Sequence, residues 1–92
     1  MSVDYLLGDT VLNQSFRQYD VVKVIALLQA PDGYDGWRLN QRAPAIGDVG
    51  TIVEILTHKD LGTRYVVECS GADGITIWLG DCLGGEIALT TE

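Results

Sequence analysis

The sequence has 92 residues, of which 47% are hydrophobic and 21% charged, a composition typical of one globular domain and not of a disordered chain. Thirteen acidic residues against six basic ones give a formal net charge of -7, which disfavours nucleic acid and anionic membrane surfaces as partners. We therefore expect a protein partner, with no nucleic acid and no membrane contact.

An N-terminal arm is predicted for residues 1–18, ahead of a single barrel domain in residues 19–92. The apolar side chains of the arm partly follow helical spacing, but Gly8 and Asp9 interrupt it, so a short helix and a strand both stay open. The arm carries no basic leader, and the longest apolar run, residues 24–28, is far below the roughly 20 residues that cross a bilayer. We therefore expect a cytoplasmic protein.

Short apolar and β-branched runs, separated by Gly, Asp, Asn and Pro, dominate the remaining sequence and indicate strands rather than helices. Asp73-Gly74 supplies the positive φ angles of a tight hairpin turn, and Gly62 closes a second predicted hairpin loop. One turn of 3₁₀ helix is expected within residues 80–86. The predicted strands, in chain order, are residues 19–29, 49–57, 63–70, 75–79 and 87–90.

The alternation of side chains along each strand predicts which face is buried. In the fourth strand, the apolar set Ile75, Ile77 and Leu79 is expected to face the core, which leaves Trp78 on the other side. The first strand is apolar on both faces, so its second face must be covered. The two alternatives are the N-terminal arm and a second copy of the chain in a homodimer.

The reactive side chains do not form a recognisable active site. Cys69 and Cys82 lack C-x-x-C spacing and are expected to be free, buried thiols. His58 is the only histidine and lies in a predicted turn, where solvation is its ordinary role. No serine or threonine has a base partner at a recognisable spacing, and no phosphate-binding loop is present. We therefore expect neither enzymatic activity nor a cofactor.

Three strings resemble small SH3-like barrels: residues 20–22 (DVV), 46–54 (IGDVGTIVE) and 65–68 (YVVE). They are similar to a bacterial domain family of unknown function that reads DVV, a long loop, GxxGTVVE and YxVEF, over residues 19–86. The layout also resembles the barrels of the nitrile hydratase β chain, the variable chain of ferredoxin-thioredoxin reductase and a small photosystem I subunit. The resemblance implies an all-β, SH3-like small barrel of about five antiparallel strands, docked on a larger protein. The chain differs from these relatives in its acidity and its arm.

The segment between the first two strands, residues 30–48, is the predicted binding loop. It is long for a compact domain and contains both prolines, as functional loops often do. Trp, Tyr and Arg dominate binding hot spots, although Trp37 is equally consistent with a plug at one end of the barrel. The candidate protein-binding residues are Tyr34, Trp37, Arg38, Arg42 and, on the fourth strand, Trp78.

Other polar groups near this loop are explained by turn formation. Asp32, Asp35 and Asp48 lack the spacing of a calcium loop, so no metal site is predicted. Residues 47–51 (GDVGT) also resemble the KOW motif of RNA-contacting barrels, but the Lys and Arg residues that surround that motif are missing. Asp81 and Glu86 are interpreted as turn and cap residues. The predicted structural turn residues are Gly47, Gly50, Asp73 and Gly74.

The sequence thus predicts a non-catalytic protein-interaction or accessory module whose partner is unknown. Two alternatives stay open, a small barrel subunit of a metallo- or redox enzyme complex and an immunity or antitoxin-like protein. In each case the acidity favours a basic surface on the partner and a salt-sensitive association.

Overall fold

The computed structural model describes residues 16–90, which form a five-stranded antiparallel sheet. The strands lie in the spatial order β4-β3-β2-β1-β5, and a 3₁₀ turn precedes the last one, as expected. The predicted all-β, barrel-like fold is confirmed. The elements are β1 (Val21–Val24), the 3₁₀ helix η1 (Pro31–Tyr34), β2 (Val49–His58), β3 (Gly62–Ser70), β4 (Thr76–Cys82), the 3₁₀ helix η2 (Gly84–Glu86) and β5 (Ile87–Leu89).

Strands β2, β3 and β4 form a meander that bends at a bulge. Ile52 pairs with Val67 and Glu54 pairs with Val66, so Val53 has no partner across the strand pair. The Val53 carbonyl instead accepts a hydrogen bond of 2.9 Å from the Gln18 side chain. Since a bulge increases local twist, it helps to wrap the sheet around one core.

Strand β1 is shorter than the predicted strand of residues 19–29. After Val24 the chain turns toward the end of η2, where the amides of Ile25 and Ala26 both donate to the Glu86 carbonyl, at 2.8 and 3.3 Å. The amide of Leu28 then donates to the Glu86 carboxylate at 2.7 Å. These contacts join residues about sixty positions apart, so the apolar run alone did not reveal where β1 ends.

The orientation predicted for β4 is wrong except at Ile77, which is partly buried and packs against the core. Trp78 and Cys82 point into the core, whereas Ile75 is largely exposed. The strand also runs past the predicted end at residue 79, so the inward set on β4 is Trp78, Gly80 and Cys82. Trp78 carries more apolar surface than the isoleucines, and its indole N–H donates to the Asp48 carboxylate. The observed register therefore buries more apolar surface without leaving a buried donor unpaired.

The core lies on one face of the sheet and includes the first described residue, Phe16. Its ring packs edge-to-face on Tyr65, with ring centres 5.2 Å apart. The predictions for residues 1–15, including a helix or strand in the arm, lie outside the described residues. Within residues 16–90 no helix has the length and apolarity to span a bilayer. The buried core residues are Phe16, Val22, Val24, Ile52, Val67, Cys69, Trp78, Cys82 and Ile87.

Candidate protein-binding loop

The long loop, residues 25–48, joins β1 to β2 and runs along the edge of β4 that faces away from β3. The Asn40 side chain accepts from the Leu79 amide at 2.8 Å. The backbone and side-chain nitrogens of Gln41 donate to the carbonyls of Ile77 and Thr76, both at 2.7 Å. The loop thereby satisfies backbone groups that an edge strand leaves open.

The first half of the long loop is fixed by the buried carboxylate of Glu86. This carboxylate accepts from the amides of Leu28 and Leu83, both at 2.7 Å, and from the Gln29 side chain at 2.9 Å. It also accepts from the Tyr34 hydroxyl, which itself accepts from the Gln29 amide at 3.1 Å. A fully buried charge is tolerated only with such hydrogen bonds, so Glu86 defines the conformation of residues 28–34.

Burial and these hydrogen bonds shift the pKa values of the Glu86 carboxyl and the Tyr34 hydroxyl. Burial alone would raise the pKa of Glu86, but the hydrogen bonds from Tyr34, Leu83, Leu28 and Gln29 outweigh it and hold the pKa below its ordinary value. Burial, followed by the hydrogen bond to Glu86, raises the pKa of Tyr34 to about 12. At neutral pH the pair is therefore a phenol that donates to a carboxylate.

The second half of the long loop is fixed by Asp48. Its carboxylate forms a salt bridge with Arg42 at 2.8 Å and accepts from the Trp78 indole at 2.9 Å and the Ala45 amide at 2.9 Å. The hydrogen bond from Arg42 is the main reason that the pKa of Asp48 is lowered. Asp48 thus connects an exposed cation to the core tryptophan.

Between these two anchors the loop presents an exposed tip, residues 37–39. Trp37 is 49% exposed and its indole N–H donates to the Asp81 side chain at 3.1 Å. Leu39 is 55% exposed. Arg38 is also exposed and has φ of 60°, a left-handed conformation that is costly for a residue with a Cβ. The loop tip is therefore an aromatic, a cation and a leucine presented together on a fixed backbone.

The structure separates the five candidate binding residues into two groups. Trp37, Arg38 and Arg42 lie on the surface of the long loop. Tyr34 and Trp78 are buried and their polar groups are bonded to Glu86 and Asp48, so neither is available to a partner. The predicted plug role does not describe Trp37, whose ring is half exposed.

The predicted turn residues have separate structural reasons. Gly47 and Gly74 have φ of 98° and 81°, and the Asp73 side chain accepts from the Ile75 amide at 3.0 Å. At Gly50 a Cβ would lie 2.6 Å from the Glu68 carbonyl oxygen, so the close approach of β2 and β3 requires glycine there.

Sequence reasoning missed the anchoring role of Glu86. One signal was present: Glu86 is the only charged residue between Asp81 and Glu92, in an otherwise apolar and glycine-rich stretch. A charge in such a stretch is either exposed or surrounded by donors. Apart from the Leu83 amide, its donors belong to Leu28, Gln29 and Tyr34, which are too distant in sequence to be identified without the fold.

The two cysteines are unreactive in their surroundings. Cys69 and Cys82 are free and buried, as predicted. Burial, with the nearby charges of Glu86 and Asp81, raises the pKa of Cys82 to about 12, and burial raises the pKa of Cys69 as well. Both therefore remain thiols at neutral pH, and a thiol is a poor nucleophile and metal ligand.

Comparisons with protein-family models, with curated proteins and with solved structures found no match for this chain.

Proposed function

We propose that this chain is a non-catalytic protein-interaction module that binds its partner through the loop tip. The observation that carries the proposal is the half-exposed Trp37, held by a hydrogen bond to Asp81 beside the exposed Arg38 and Leu39. Tryptophan and arginine are the residues most enriched among binding hot spots. Their position on one loop tip gives a compact contact centre.

The anchoring of the long loop supports this role. Glu86 fixes the residues before the tip, and Asn40, Gln41 and Asp48 fix those after it. A surface that is ordered before binding loses less conformational entropy when the partner arrives. The left-handed Arg38 is consistent with a backbone held in a costly conformation to position a side chain.

The chemistry of the buried groups favours binding over catalysis. Each strongly perturbed group has a structural role: the Glu86 carboxylate is surrounded by donors, and the Tyr34 hydroxyl is one of them. Cys82 is a buried thiol with a raised pKa. These groups lie inside the domain, where their polar atoms bond to one another or, for Cys82, remain protonated.

The test is affinity capture with cross-linking from the native cell, followed by binding of the purified pair. Wild type is compared with Trp37→Ala, and Leu61→Ala serves as a control because Leu61 is an exposed apolar residue on the β2–β3 turn. We expect one protein captured by wild type and the control but lost with Trp37→Ala. For the purified pair we expect Kd to rise about 30-fold or more, since a hot-spot truncation costs about 2 kcal/mol or more.

The same complex should weaken as salt increases if the net charge of -7 steers association. Equal affinity of wild type and Trp37→Ala for the captured protein would overturn the proposal. Turnover of a substrate by the purified chain alone would overturn it as well. The identity of the partner also decides between the alternatives, since a catalytic chain indicates an enzyme subunit and a nuclease indicates an immunity protein.

A further inference from the structure

A second surface lies away from the loop tip, on the outer side of the sheet where β1 meets the start of β2 and β5. It is a groove with a volume of about 680 Å³. Four apolar side chains line it, and each is between 46% and 50% exposed: Val21, Ile25, Val49 and Leu89. We call it the apolar groove. Since its lining is more apolar than polar, the groove suits an occupant with apolar side chains.

The charge in the apolar groove is a single lysine. Lys23 lines the groove between Val21 and Ile25, where it pairs with Val49 on one side and Ala88 on the other. Among residues 16–90 it forms no salt bridge. An occupant that complements the groove therefore has several apolar side chains and a carboxylate.

We propose that the N-terminal segment, residues 1–15 of this same chain, occupies the apolar groove. Asp4 and Asp9 are its only charged side chains, and both are suited to pair with Lys23. Its apolar side chains match the lining of the groove. They are Met1, Val3, Tyr5, Leu6, Leu7, Val11 and Leu12.

The position of Phe16 makes the groove reachable. Phe16 lies five residues before Val21, so the two are at most about 18 Å apart along an extended backbone. The N-terminal segment can extend about 50 Å, which leaves most of its length for contact once it has reached the groove. Because the segment is tethered, its effective concentration at the groove is high, and a second copy must instead lose association entropy.

The experiment places a nitroxide spin label on the segment of the full chain through Thr10→Cys. The native Cys69 and Cys82 are buried, so the reagent attaches to the introduced cysteine. Paramagnetic broadening of backbone amides is then read in the isotope-labelled protein. We expect the amides of Val21, Val49 and Leu89 to lose more than half of their intensity, while those of the β2–β3 turn keep theirs.

Two matched pairs of variants test the chemistry of the contact. Lys23→Glu in the groove should restore the groove amides, whereas Lys59→Glu, the same change on the distant β2–β3 turn, should not. Leu6→Asp in the segment should also restore them, whereas Asn13→Asp adds the same charge at a polar position and should not. The amide spectrum of residues 16–90 shows in each sample that the barrel is folded.

A mixture of isotope-labelled unmodified chain with unlabelled spin-labelled chain separates the two occupants. Broadening of the groove in the singly labelled chain and not in the mixture supports docking of the chain's own segment. Broadening that is equally strong in the mixture assigns the groove to a second copy and overturns the proposal. Uniform or absent broadening, or broadening unaffected by Lys23→Glu and Leu6→Asp, overturns it as well.

Discussion

The long loop contains two regions with opposite properties, the anchors inside the molecule and the tip outside it. At the anchors, Glu86 and Asp48 are surrounded by donors, and Tyr34 and Trp78 are buried. At the tip, Trp37 and Arg38 are exposed, and the side-chain hydrogen bond there is the one from the Trp37 indole to the Asp81 carboxylate. One loop therefore keeps its stabilising contacts apart from its exposed side chains, and in the proposed function those exposed side chains contact the partner.

The two tryptophans give the largest expected contrast. Trp78→Ala should lower the free energy of unfolding by about 4 kcal/mol, since it empties a fully buried site and removes the indole donor to Asp48. Trp37→Ala should lower it by less than about 1 kcal/mol, because the ring is half exposed. Urea unfolding followed by circular dichroism measures both. Similar losses for the two variants would show that the tip is part of the core.

The buried carboxylate should give the next largest effect. Glu86→Gln replaces an acceptor oxygen with an amide donor that faces other donors, and we expect a loss of about 3 kcal/mol. Glu54→Gln is the matched control on exposed β2 surface and should change stability by less than about 0.5 kcal/mol. Equal unfolding curves for wild type and Glu86→Gln would contradict the role given to this carboxylate.

A methyl group at Gly80 should clash with the first half of the long loop, which Glu86 anchors. Its Cβ would lie 2.8 Å from the Tyr34 carbonyl oxygen, which is closer than atoms pack, and we expect Gly80→Ala to cost about 2 kcal/mol. Gly36→Ala, beside the tip, meets nothing within 4 Å and should cost close to zero. Thermal unfolding of the two alanine variants distinguishes them, and a cost for Gly36→Ala as large as that for Gly80→Ala would contradict the comparison.

Acid should weaken the anchors by a smaller amount over a defined range. The folded protein lowers the pKa values of Glu86 and Asp48 from ordinary values of 4.5 and 3.8, so the unfolded chain binds more protons in this range. Their stabilisation is therefore complete above these ordinary values and is lost as pH falls through the lowered ones. Urea unfolding from about pH 7 to about pH 3 should show a steeper decline for wild type than for Glu86→Gln. Parallel declines would rule out the contribution of Glu86.

The smallest expected change in stability is at Arg38. Arg38→Gly removes the conformational cost of a left-handed residue with a Cβ, about 1 kcal/mol. Glycine also loses more chain entropy on folding, by a similar amount, so the free energy of unfolding should be nearly unchanged. Arg64 lies within β3 and has no left-handed backbone to relax, so Arg64→Gly should lower the free energy of unfolding by about 1 kcal/mol. Binding to the partner should nevertheless weaken with Arg38→Gly, as measured by calorimetry. Unchanged affinity would remove Arg38 from the binding surface.

The sequence predicted those parts of the fold that depend on local patterns. The alternation in β2 and β3 and the Asp73-Gly74 turn are local, and the structure places strands and a hairpin there. The surface position of Trp37 was one of two alternatives. The orientation of β4 was wrong because three isoleucine and leucine side chains outweighed one tryptophan in the pattern, although the larger ring and its N–H decide the register.

The anchors were beyond sequence reasoning for a physical reason. Glu86 joins Tyr34 and Leu28 across more than fifty residues, and Asp48 joins Trp78 across thirty. Such pairings depend on how the barrel closes, and no local pattern encodes this. An isolated charge or a polar aromatic indicates that a partner is needed, but only the fold shows which one.

The contacts of Asn40 and Gln41 along β4 also bear on self-association into fibrils. A free strand edge recruits strands from other molecules, and stacking of such edges is the first step toward cross-β aggregates. Here the carbonyls of Thr76 and Ile77 and the amide of Leu79 already have intramolecular partners. The long loop therefore protects the protein from aggregation at high protein concentration. Deletion of the loop should leave the edge of β4 free to pair with strands of other molecules.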